Sequence, residues 1–521
     1  MTQQATTPEA KAPQGRKIKL INAVGYAFGD FYGGGFGQIA TYLTLFWTTF
    51  AGLKVAQAGS IVGIATMLAA FSALVFGTLS DNLYKYRIGR KFGRRRFLIL
   101  LGVPLLLVTI LMFVPGMPFW AYFVVYALWI IANQLIMTPY SVLPNEMTTD
   151  FNGRTMLSTT RMLFSGISTA VIPLGMAAFL NALGDKKSSS YTISMGFFIV
   201  LFAVFVFIAY KSTWELTPEE AGFDEAAIEA EKKEPFDFGK WLKGVADIFI
   251  GYFSTLRNKT FRKHIIIYLL GQSFLDIFGQ VWLFFVLYNL NKPVAFGSAL
   301  LGMALIGEPL KPVFGWIFAK IGPRKMFSLN FAGAIIGLLG LWGLWQTSAQ
   351  NGTAVWNALL YVVMVWWLIF RAMTWFIPWN VFPFIPDVDM IMAGENRGGL
   401  YIGFQQFARK ITAGLSAMAW GWYLGANGFV EEAFKAGKPQ PDQAVNAIGN
   451  VLVWWIIVGL AVAWIVSFTM KLDKKTDAVL LKEIDRLKNG GKKADVEPET
   501  KKIVEQLTGI KYEKCWPQTA E

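Results

Sequence analysis

Residues 139–144 read PYSVLP, and residues 378–383, 239 positions later, read PWNVFP. A proline, an aromatic residue, a valine and a second proline stand at equivalent places in the two segments. Two dipeptides also recur 238 positions apart, at Gly59-Ser60 and Gly297-Ser298 and at Phe76-Gly77 and Phe314-Gly315. Because the matches recur at nearly the same offset, 238 or 239 residues, they indicate a duplicated chain with two similar halves.

The composition indicates that both halves lie in a membrane. The chain has 521 residues, of which 54% are hydrophobic and only 16% are charged, whereas a soluble domain carries about 25% charged residues. Apolar blocks of the ~20 residues that a membrane-crossing helix needs recur from end to end. Backbone groups in hydrocarbon must be bonded within their own segment, so we predict helices. We expect twelve, at about 20–50, 57–80, 97–115, 119–143, 160–183, 191–211, 263–289, 296–319, 326–347, 355–385, 399–425 and 447–470.

The distribution of charge predicts the orientation. The net charge is +14, but the basic residues lie in short loops and tails, as in membrane proteins, and do not indicate nucleic-acid binding. The loop 81–96 alone holds seven Lys and Arg residues, so the positive-inside rule places both termini in the cytoplasm. The predicted parts are a cytoplasmic tail without a signal peptide (1–19), a six-helix bundle (20–211), a cytoplasmic middle loop (212–262), a second six-helix bundle (263–470) and a cytoplasmic tail (471–521).

No motif of an enzyme, a metal site or a cofactor site is present in the sequence. P-loop, GxSxG, HExxH and CxxC patterns are absent, and the Gly-rich GDFYGGGFG opens an apolar span instead of following a strand. The chain has one cysteine, Cys515, and one histidine, His264, near the start of a span. We therefore predict no catalytic residue, no metal and no cofactor. The tail 471–521 is charged and is expected to be solvated and partly disordered.

Three segments carry a resemblance to a known family. They are GYAFGDFYGGG (25–35), PYSVLPNEMTTDFNGRTMLSTTRMLF (139–164) and MAGENRGGLYIGFQQFARKITAGLSA (392–417). They resemble the glycoside–pentoside–hexuronide cation symporters of the major facilitator superfamily, a family typified by the melibiose carrier. The resemblance implies an all-α membrane protein of twelve helices, in two six-helix pseudo-repeats, that transports a sugar by alternating access.

The resemblance also implies site residues. Asp30 matches the first-helix acidic position, Arg161 the helix-five arginine near the sugar, and Lys410 the helix-eleven lysine. Gln405 and Gln406 match polar sugar contacts one turn before that lysine.

The sequence departs from the family at the cation site. Met137 stands where the melibiose branch has a helix-four acid, and Ala69 and Ala73 stand where that branch has an Asp-x-x-x-Asp pair in helix two. We therefore expect proton coupling or uniport, and no coupling to sodium.

Charged residues inside spans cost at least ~2.5–3.5 kcal/mol each and need a partner or a function. Asp30 would accept sugar hydroxyls or a proton, or it would serve only as a helix-end cap. Arg161 and Lys410 would pair with Asp30 or bind sugar, unless they extend to the membrane surface.

The second half holds further charges. Glu308 and Lys311, three residues apart, would form an intrahelical ion pair or a relocated coupling site. Asp276 and Arg371 would pair with each other. The coupling candidates are Asp30, Glu308, Lys311 and Asp276.

Aromatic and amide side chains beside the repeated proline motif suit a sugar, because apolar pyranose faces stack on rings and amides bond hydroxyls. Trp375, Trp379 and Asn380 lie there in the second half, and Tyr140 and Ser141 lie at the equivalent place in the first. The alternative is a set of interfacial aromatics.

Together these features predict a monomeric sugar carrier in the cell membrane, with a sugar, a proton and the lipid bilayer as its partners. Two alternatives stay open. One is a membrane sugar sensor that kept the carrier fold without coupling. The other is a carrier of an organic anion, which Arg161, Arg371 and Lys410 would suit.

Overall fold

The computed structural model describes residues 17–83, 86–148, 150–217, 238–395 and 397–517. All regular secondary structure in these ranges is helical, which confirms the predicted all-α class. Nine of the described helices are long and apolar enough to cross a membrane. The count of twelve spans and the cytoplasmic termini stay predictions, and residues 1–16 of the N-terminal tail and 218–237 of the middle loop lie outside the described residues.

The chain divides into two compact units. Unit 1 comprises Met1–Phe46 and Phe71–Asp237, and unit 2 comprises Trp47–Ala70 and Phe238–Glu521. The helices in or entering unit 1 are α1 (Leu20–Thr49), α2 (Val55–Asn82), α3 (Arg87–Phe92), α4 (Arg96–Val108), α5 (Phe119–Met147), α6 (Phe151–Leu183) and α7 (Ser188–Ser212). The remaining helices of unit 2 are α8 (Phe238–Ser254), α9 (Lys259–Tyr288), α10 (Val294–Gly302), α11 (Lys311–Gln346), α12 (Ala354–Val381), α13 (Ile385–Ala393), α14 (Gly398–Ala426), α15 (Asp442–Gly449), α16 (Ile456–Phe468), α17 (Lys474–Lys488) and α18 (Pro498–Thr508).

Polar side chains fix the starts of several helices by accepting from free backbone N–H groups. Asp150 caps α6 by accepting from Gly153 N at 2.6 Å. Asn258 caps α9 by accepting from Phe261 N at 3.1 Å. Both caps stand at the start of helices that carry candidate site residues, and they hold those helices in register.

The predicted span 296–319 is not one continuous helix. α10 ends at Gly302, a 3₁₀ turn covers Met303–Gly307, and α11 begins at Lys311. Pro309 and Pro312 flank the junction, and a proline lacks the N–H that would continue the helical ladder. A second break lies in α11 at Gly322, whose φ of 76° is a left-handed value that glycine adopts without strain.

The first part of α2 packs tightly on α14 within unit 2. A Cβ on Gly59 would lie 2.7 Å from the Ala417 carbonyl oxygen, and one on Gly414 would lie 2.5 Å from the Gly63 carbonyl oxygen. The backbones of the two helices therefore touch, as small residues allow in membranes. Glu431 also accepts from Val55 N at 2.8 Å, at the start of α2.

The C-terminal tail is ordered, and the expectation of a solvated, partly disordered segment is wrong for its described residues. Thr260 donates to the Leu507 carbonyl at 2.7 Å, which joins α18 to α9. Trp516 N donates to the Ile391 carbonyl at 2.8 Å, which joins the chain end to α13. Apolar side chains on one face of α17 and α18 are buried, namely Leu480, Ile484, Leu487, Val504 and Leu507.

Candidate functional site

An ion pair lies inside unit 1. Arg161 Nε donates to Asp30 Oδ2 at 2.8 Å, which links α6 to α1. The Asp30 side chain is 10% exposed and that of Arg161 is 30% exposed. A Cβ on Gly33 would lie 2.5 Å from Asp30 Oδ1, so glycine is required there for the carboxylate to keep this position. The structure thus pairs Asp30 with Arg161, which was one of the two roles expected for Arg161.

Two tyrosines support this pair. Tyr26 and Tyr140 stack with ring centroids 4.4 Å apart, and the Arg161 guanidinium lies 5.4 Å from the centre of the Tyr140 ring. Each hydroxyl bonds the other's backbone: Tyr140 donates to the Tyr26 carbonyl at 2.8 Å, and Tyr26 donates to the Tyr140 carbonyl at 3.3 Å. Tyr140 is fully buried, so its position fits a support for Arg161 by cation–π attraction.

A second ion pair lies in unit 2. Arg409 on α14 meets Asp276 on α9 with both terminal nitrogens, with 2.7 Å between Nη2 and Oδ1 and 2.6 Å between Nη1 and Oδ2. Only the Nη2–Oδ1 contact has hydrogen-bond geometry, and the Nη1–Oδ2 contact is a close approach of opposite charges without it. Asp276 was expected to pair with Arg371, and its partner is Arg409 instead.

The sequence analysis missed Arg409, although it directly precedes Lys410. Adjacent positions on a helix point about 100° apart, so the two cations have different surroundings. Lys410 Nζ donates to the Ala69 carbonyl of α2 at 3.2 Å. Among the described residues, no carboxylate forms an ion pair with Lys410.

Gln405 and Gln406, the two glutamines predicted to contact the sugar, differ in burial. Gln405 is fully buried, and its Oε1 lies 3.2 Å from His264 Nε2. Gln406 is exposed on the same helix. The sequence could not distinguish these neighbours, because both are amides one turn before Lys410.

The aromatic and amide candidates of α12 also divide. Trp379 contacts Tyr268 with ring centroids 6.0 Å apart. Trp375 is 46% exposed, and Asn380 donates to the carbonyl of Phe376 in its own helix at 2.9 Å. Of the three, Trp379 is the one whose described contacts reach the polar side chains of α9.

Glu308 and Lys311 lie together at the break between α10 and α11. Lys311 Nζ donates to Glu308 Oε2 at 2.6 Å, and both side chains are about one-third exposed, at 36% and 31%. Their position at a helix break, and not inside a continuous span, explains how the membrane protein accommodates them.

The interior of unit 2 carries surplus positive charge. Asp276 is paired with Arg409 and also attracts the Arg371 guanidinium. Arg371 and Lys410 have no carboxylate at ion-pairing distance within the described part of the chain. In the same part of the chain, no cluster of three or more His, Cys, Asp or Glu residues could hold a metal ion.

These features define a class of protein. Helices of membrane-crossing length that carry ion pairs and buried amides in their bundles are typical of membrane transport proteins. The sequence model for MFS/sugar transport proteins matches residues 25–474, and the chain belongs to this family, the sugar-transporting branch of the major facilitator superfamily. It is accordingly a multi-pass transport protein of the cell membrane and not an enzyme.

Similar proteins agree with this assignment. The isoprimeverose transporter of Lactiplantibacillus pentosus is 24% identical, over 84% of this chain and 86% of the relative. The glucuronide carrier protein homolog of Escherichia coli is 22% identical, over 91% of this chain and 97% of the relative. The solved structure of the nucleoside transporter NupG matches with a TM-score of 0.58 at 13% identity, over 87% of this chain and 99% of that one. At this identity the structural likeness shows the fold alone.

Proposed function

We propose that the chain is a secondary carrier that moves a sugar across the cell membrane by alternating access. The observation that carries the proposal is the Asp30–Arg161 ion pair, which joins two helices inside unit 1 with a contact of 2.8 Å. A carboxylate and a guanidinium held side by side offer acceptors and donors for sugar hydroxyls. The names of the relatives, an isoprimeverose transporter and a glucuronide carrier homolog, support a sugar as the solute.

We propose that transport is either coupled to a proton or uncoupled, as in a uniporter, and that it is not coupled to sodium. Sodium prefers several hard oxygen ligands, and the helix-two positions that supply carboxylates in the melibiose branch are Ala69 and Ala73. The Lys410 ammonium, at 3.2 Å from the Ala69 carbonyl, places a fixed positive charge at the first of these positions. A mobile monovalent cation would be repelled there.

An acidic sugar is the favoured solute within this class. Arg371 and Lys410 leave the interior of unit 2 with more positive than negative charge, which would attract a carboxylate or sulfonate group on the solute. The glucuronide carrier homolog and a putative sulfoquinovose importer of Escherichia coli are both named for acidic sugars. A neutral pentose glycoside is the alternative, supported by the name of the isoprimeverose transporter.

Counterflow tests the proposal. The purified full-length chain in proteoliposomes is loaded with an unlabelled solute and diluted into its labelled form, using a glucuronide, a xylose glycoside and melibiose in parallel. We expect exchange with the glucuronide that exceeds that of empty liposomes. Binding of a sugar without exchange would instead identify a sensor, and exchange of the neutral sugars alone would exclude the acidic class.

Twelve spans and cytoplasmic termini form part of the proposal and have their own test. Cys515 is the single cysteine, so a Cys515→Ser background accepts one new cysteine at a time. Lys186→Cys, in the loop between α6 and α7, and Lys320→Cys, near the break in α11, should react from opposite sides of the membrane with an impermeant maleimide. Reaction from one side would contradict the orientation.

A further inference from the structure

Polar side chains recur every fourth residue along α9. His264, Tyr268, Gln272, Asp276 and Gln280 form a row, and residues four apart lie along one ridge of a helix. Sixteen residues of helix rise about 24 Å, which is most of the ~30 Å hydrocarbon thickness of a bilayer. This row contains more polar side chains than the packing of one helix on another requires.

Side chains of α14 complete the row from the other side. Gln405 Oε1 lies 3.2 Å from His264 Nε2. Further along the row, Arg409 Nη2 donates to Asp276 Oδ1 at 2.7 Å. At the far end Trp420 Nε1 donates to Gln280 Oε1 at 2.9 Å.

Gln272 interrupts the row of bonded groups. It is fully buried between Tyr268 and Asp276, and neither its amide oxygen nor its amide nitrogen has a hydrogen-bond partner in the described part of the protein. Leaving one buried polar group unbonded costs about 1–3 kcal/mol. An amide with two such atoms is therefore a place where ordered water is stable. His264 Nδ1 and Gln405 Nε2 are also buried and without a partner.

We propose that this row, called here the α9 polar row, is a proton path through unit 2 that leads from His264 to Asp276 with water held at Gln272. The inference rests on the proposed transport function and names the route of its proton. A hydronium ion gives its proton to the path and becomes water, and the Asp276 carboxylate gains an O–H bond. The proton neutralises the carboxylate, so the net charge of the Asp276–Arg409 pair rises from zero to +1 and the ion pair is lost.

The charged groups that face Asp276 fit this role. Arg409 approaches it from α14, and Arg371 attracts it from α12. The helices α10 and α16, which also pack on α9, contain no ionisable side chain in their ranges. Protonation of Asp276 would therefore release Arg409 from its ion pair and remove the negative charge that faces Arg371, and both guanidinium groups could then bind an anionic solute.

The competing explanation is that the row only joins α9 to α14, as buried polar side chains do in many membrane bundles. In that case each contact acts locally. A proton path instead requires that a change at Asp276 is felt at His264, three helical turns away, through Gln272.

The single histidine gives a direct test. The full-length chain, labelled with ¹⁵N-histidine and held in a lipid nanodisc, yields imidazole signals from His264 alone. We expect Asp276→Asn to move these signals, and we expect the added change Gln272→Met to abolish that movement. Ser273→Ala, a buried polar residue beside the row, is the matched control and should leave the effect of Asp276→Asn intact.

Two outcomes would overturn the path. One is an imidazole spectrum that Asp276→Asn leaves unchanged; the other is a response that survives Gln272→Met. If Asp276→Asn fails to fold with Arg409 unpaired, the double variant Asp276→Asn with Arg409→Gln removes both charges together and gives the same readout.

Proton flux in proteoliposomes separates this proposal from the transport proposal. A trapped pH dye should report proton uptake with solute entry in the parent chain, and Gln272→Met should lose it while counterflow of the labelled glucuronide continues. Counterflow without proton uptake in the parent would overturn the path and leave a uniporter. Absence of counterflow with every solute would overturn the proposed transport function. The imidazole signals of His264 would still show whether the proton path exists.

Discussion

Arg161 Nε donates to Asp30 Oδ2 at 2.8 Å and so binds α6 to α1 inside unit 1. The two residues stand 131 positions apart, and their contact makes each the nearest partner of the other's charge. A solute that enters between these groups would compete with the pair. The pair is thus both a solute-binding candidate and an element that holds two helices together, and experiments must separate these roles.

The first prediction concerns Asp30→Asn, which keeps the shape and one acceptor but removes the charge. If Asp30 binds the solute, affinity should fall by about 1.5–3 kcal/mol, the worth of a hydrogen bond to a charged group. If it also carries the proton, accumulation against a gradient should be lost while counterflow persists. Counterflow and uphill uptake of the same labelled glucuronide measure the two effects.

A double-variant cycle controls for the structural role. Arg161→Gln alone should weaken binding, and the double variant should lose less than the sum of the single losses because the groups are in contact. Thr155→Ala is the control, since its exposed hydroxyl bonds the Phe151 carbonyl of its own helix. Parent-like affinity and accumulation in Asp30→Asn would leave Asp30 only a structural partner of Arg161 inside α1.

The second prediction concerns sodium. Uptake of the solute should be unchanged when Na⁺ is replaced by K⁺ or choline, because Lys410 places an ammonium against the Ala69 carbonyl. Ala69→Asp should not create sodium dependence while Lys410 is present, since the new carboxylate would pair with the ammonium. A tenfold higher uptake by the parent chain in sodium than in choline at the same ionic strength would contradict this prediction.

The sequence predicted the helical class and the charged candidates, because apolar blocks and the cost of buried charge are visible in the chain itself. It offered the pairs Asp30–Arg161 and Glu308–Lys311, but it did not predict the pair Asp276–Arg409. Arg409 and Lys410 are neighbours in sequence, and only the packing of α14 on α9 and α2 assigns Asp276 to one and the Ala69 carbonyl to the other. Pairing across helices depends on tertiary contacts that a local pattern does not contain.

The prediction of a partly disordered C-terminal tail was wrong for a related reason. The stretch VLLKEIDRL has helical apolar spacing, but a short amphipathic helix is marginal without a partner surface. That surface is supplied by α13 and α18, on which α17 packs. The break between α10 and α11 was also missed, although Pro309 and Pro312 marked it in the sequence.

The third prediction concerns the contact of α2 with α14. Gly414→Ala should lower thermal stability, because the new Cβ would stand 2.5 Å from the Gly63 carbonyl oxygen and the two backbones would have to separate. Overpacking of this kind costs about 1–3 kcal/mol. Gly343→Ala is the matched control, since a Cβ there meets nothing within 4 Å. Equal unfolding midpoints of the two variants in detergent would show that the helices are not in close contact.

The fourth prediction concerns the docking of the tail, for which Cys515 is a built-in probe. Tyr512 donates to the buried Glu483 carboxylate, which also accepts from Arg486 at 2.8 Å. Tyr512→Phe removes a hydrogen bond to a charged group, worth about 1.5–3 kcal/mol, so labelling of Cys515 by a maleimide should accelerate about 10- to 100-fold. Burial raises the pKa of the Cys515 thiol to about 11, which keeps labelling of the docked tail slow at neutral pH.

Acid should act on the same contact. Burial by itself raises the pKa of Glu483, but the bonds from Arg486 and Tyr512 outweigh it and hold the pKa below the ordinary 4.5. A lowered pKa in the folded state stabilises docking above 4.5, and this stability is lost as the pH falls through the lowered value. Protease protection of residues 474–517 should therefore decline in acid, and Tyr512→Phe should weaken it at every pH. If Tyr512→Phe leaves both the protease protection and the rate of Cys515 labelling unchanged, this bond does not hold the tail.

The last prediction has the opposite sign and concerns Asp477 on α17. The side chain is buried, and its Oδ1 has no hydrogen-bond partner in the described residues. Burial raises the pKa of Asp477 above 3.8, and the neighbouring Asp387 carboxylate raises it further. A group with a raised pKa stabilises the folded form fully below its ordinary value, and this stability is lost as the pH rises through the raised value. At neutral pH the charge on Asp477 therefore weakens the tail, and Asp477→Asn should tighten it.

Hydrogen exchange of the α17 amides measures this effect without the thiol. Exchange should slow in Asp477→Asn at pH 7, and the difference from the parent should shrink as the pH falls through the raised pKa of the Asp477 carboxyl, which then takes up a proton. Asp485→Asn is the matched control, because that side chain is exposed on the same helix and should change nothing. Exchange that becomes faster in Asp477→Asn would mean that the carboxylate stabilises docking, and that its repulsion from Asp387 is outweighed by a contact with the charged form.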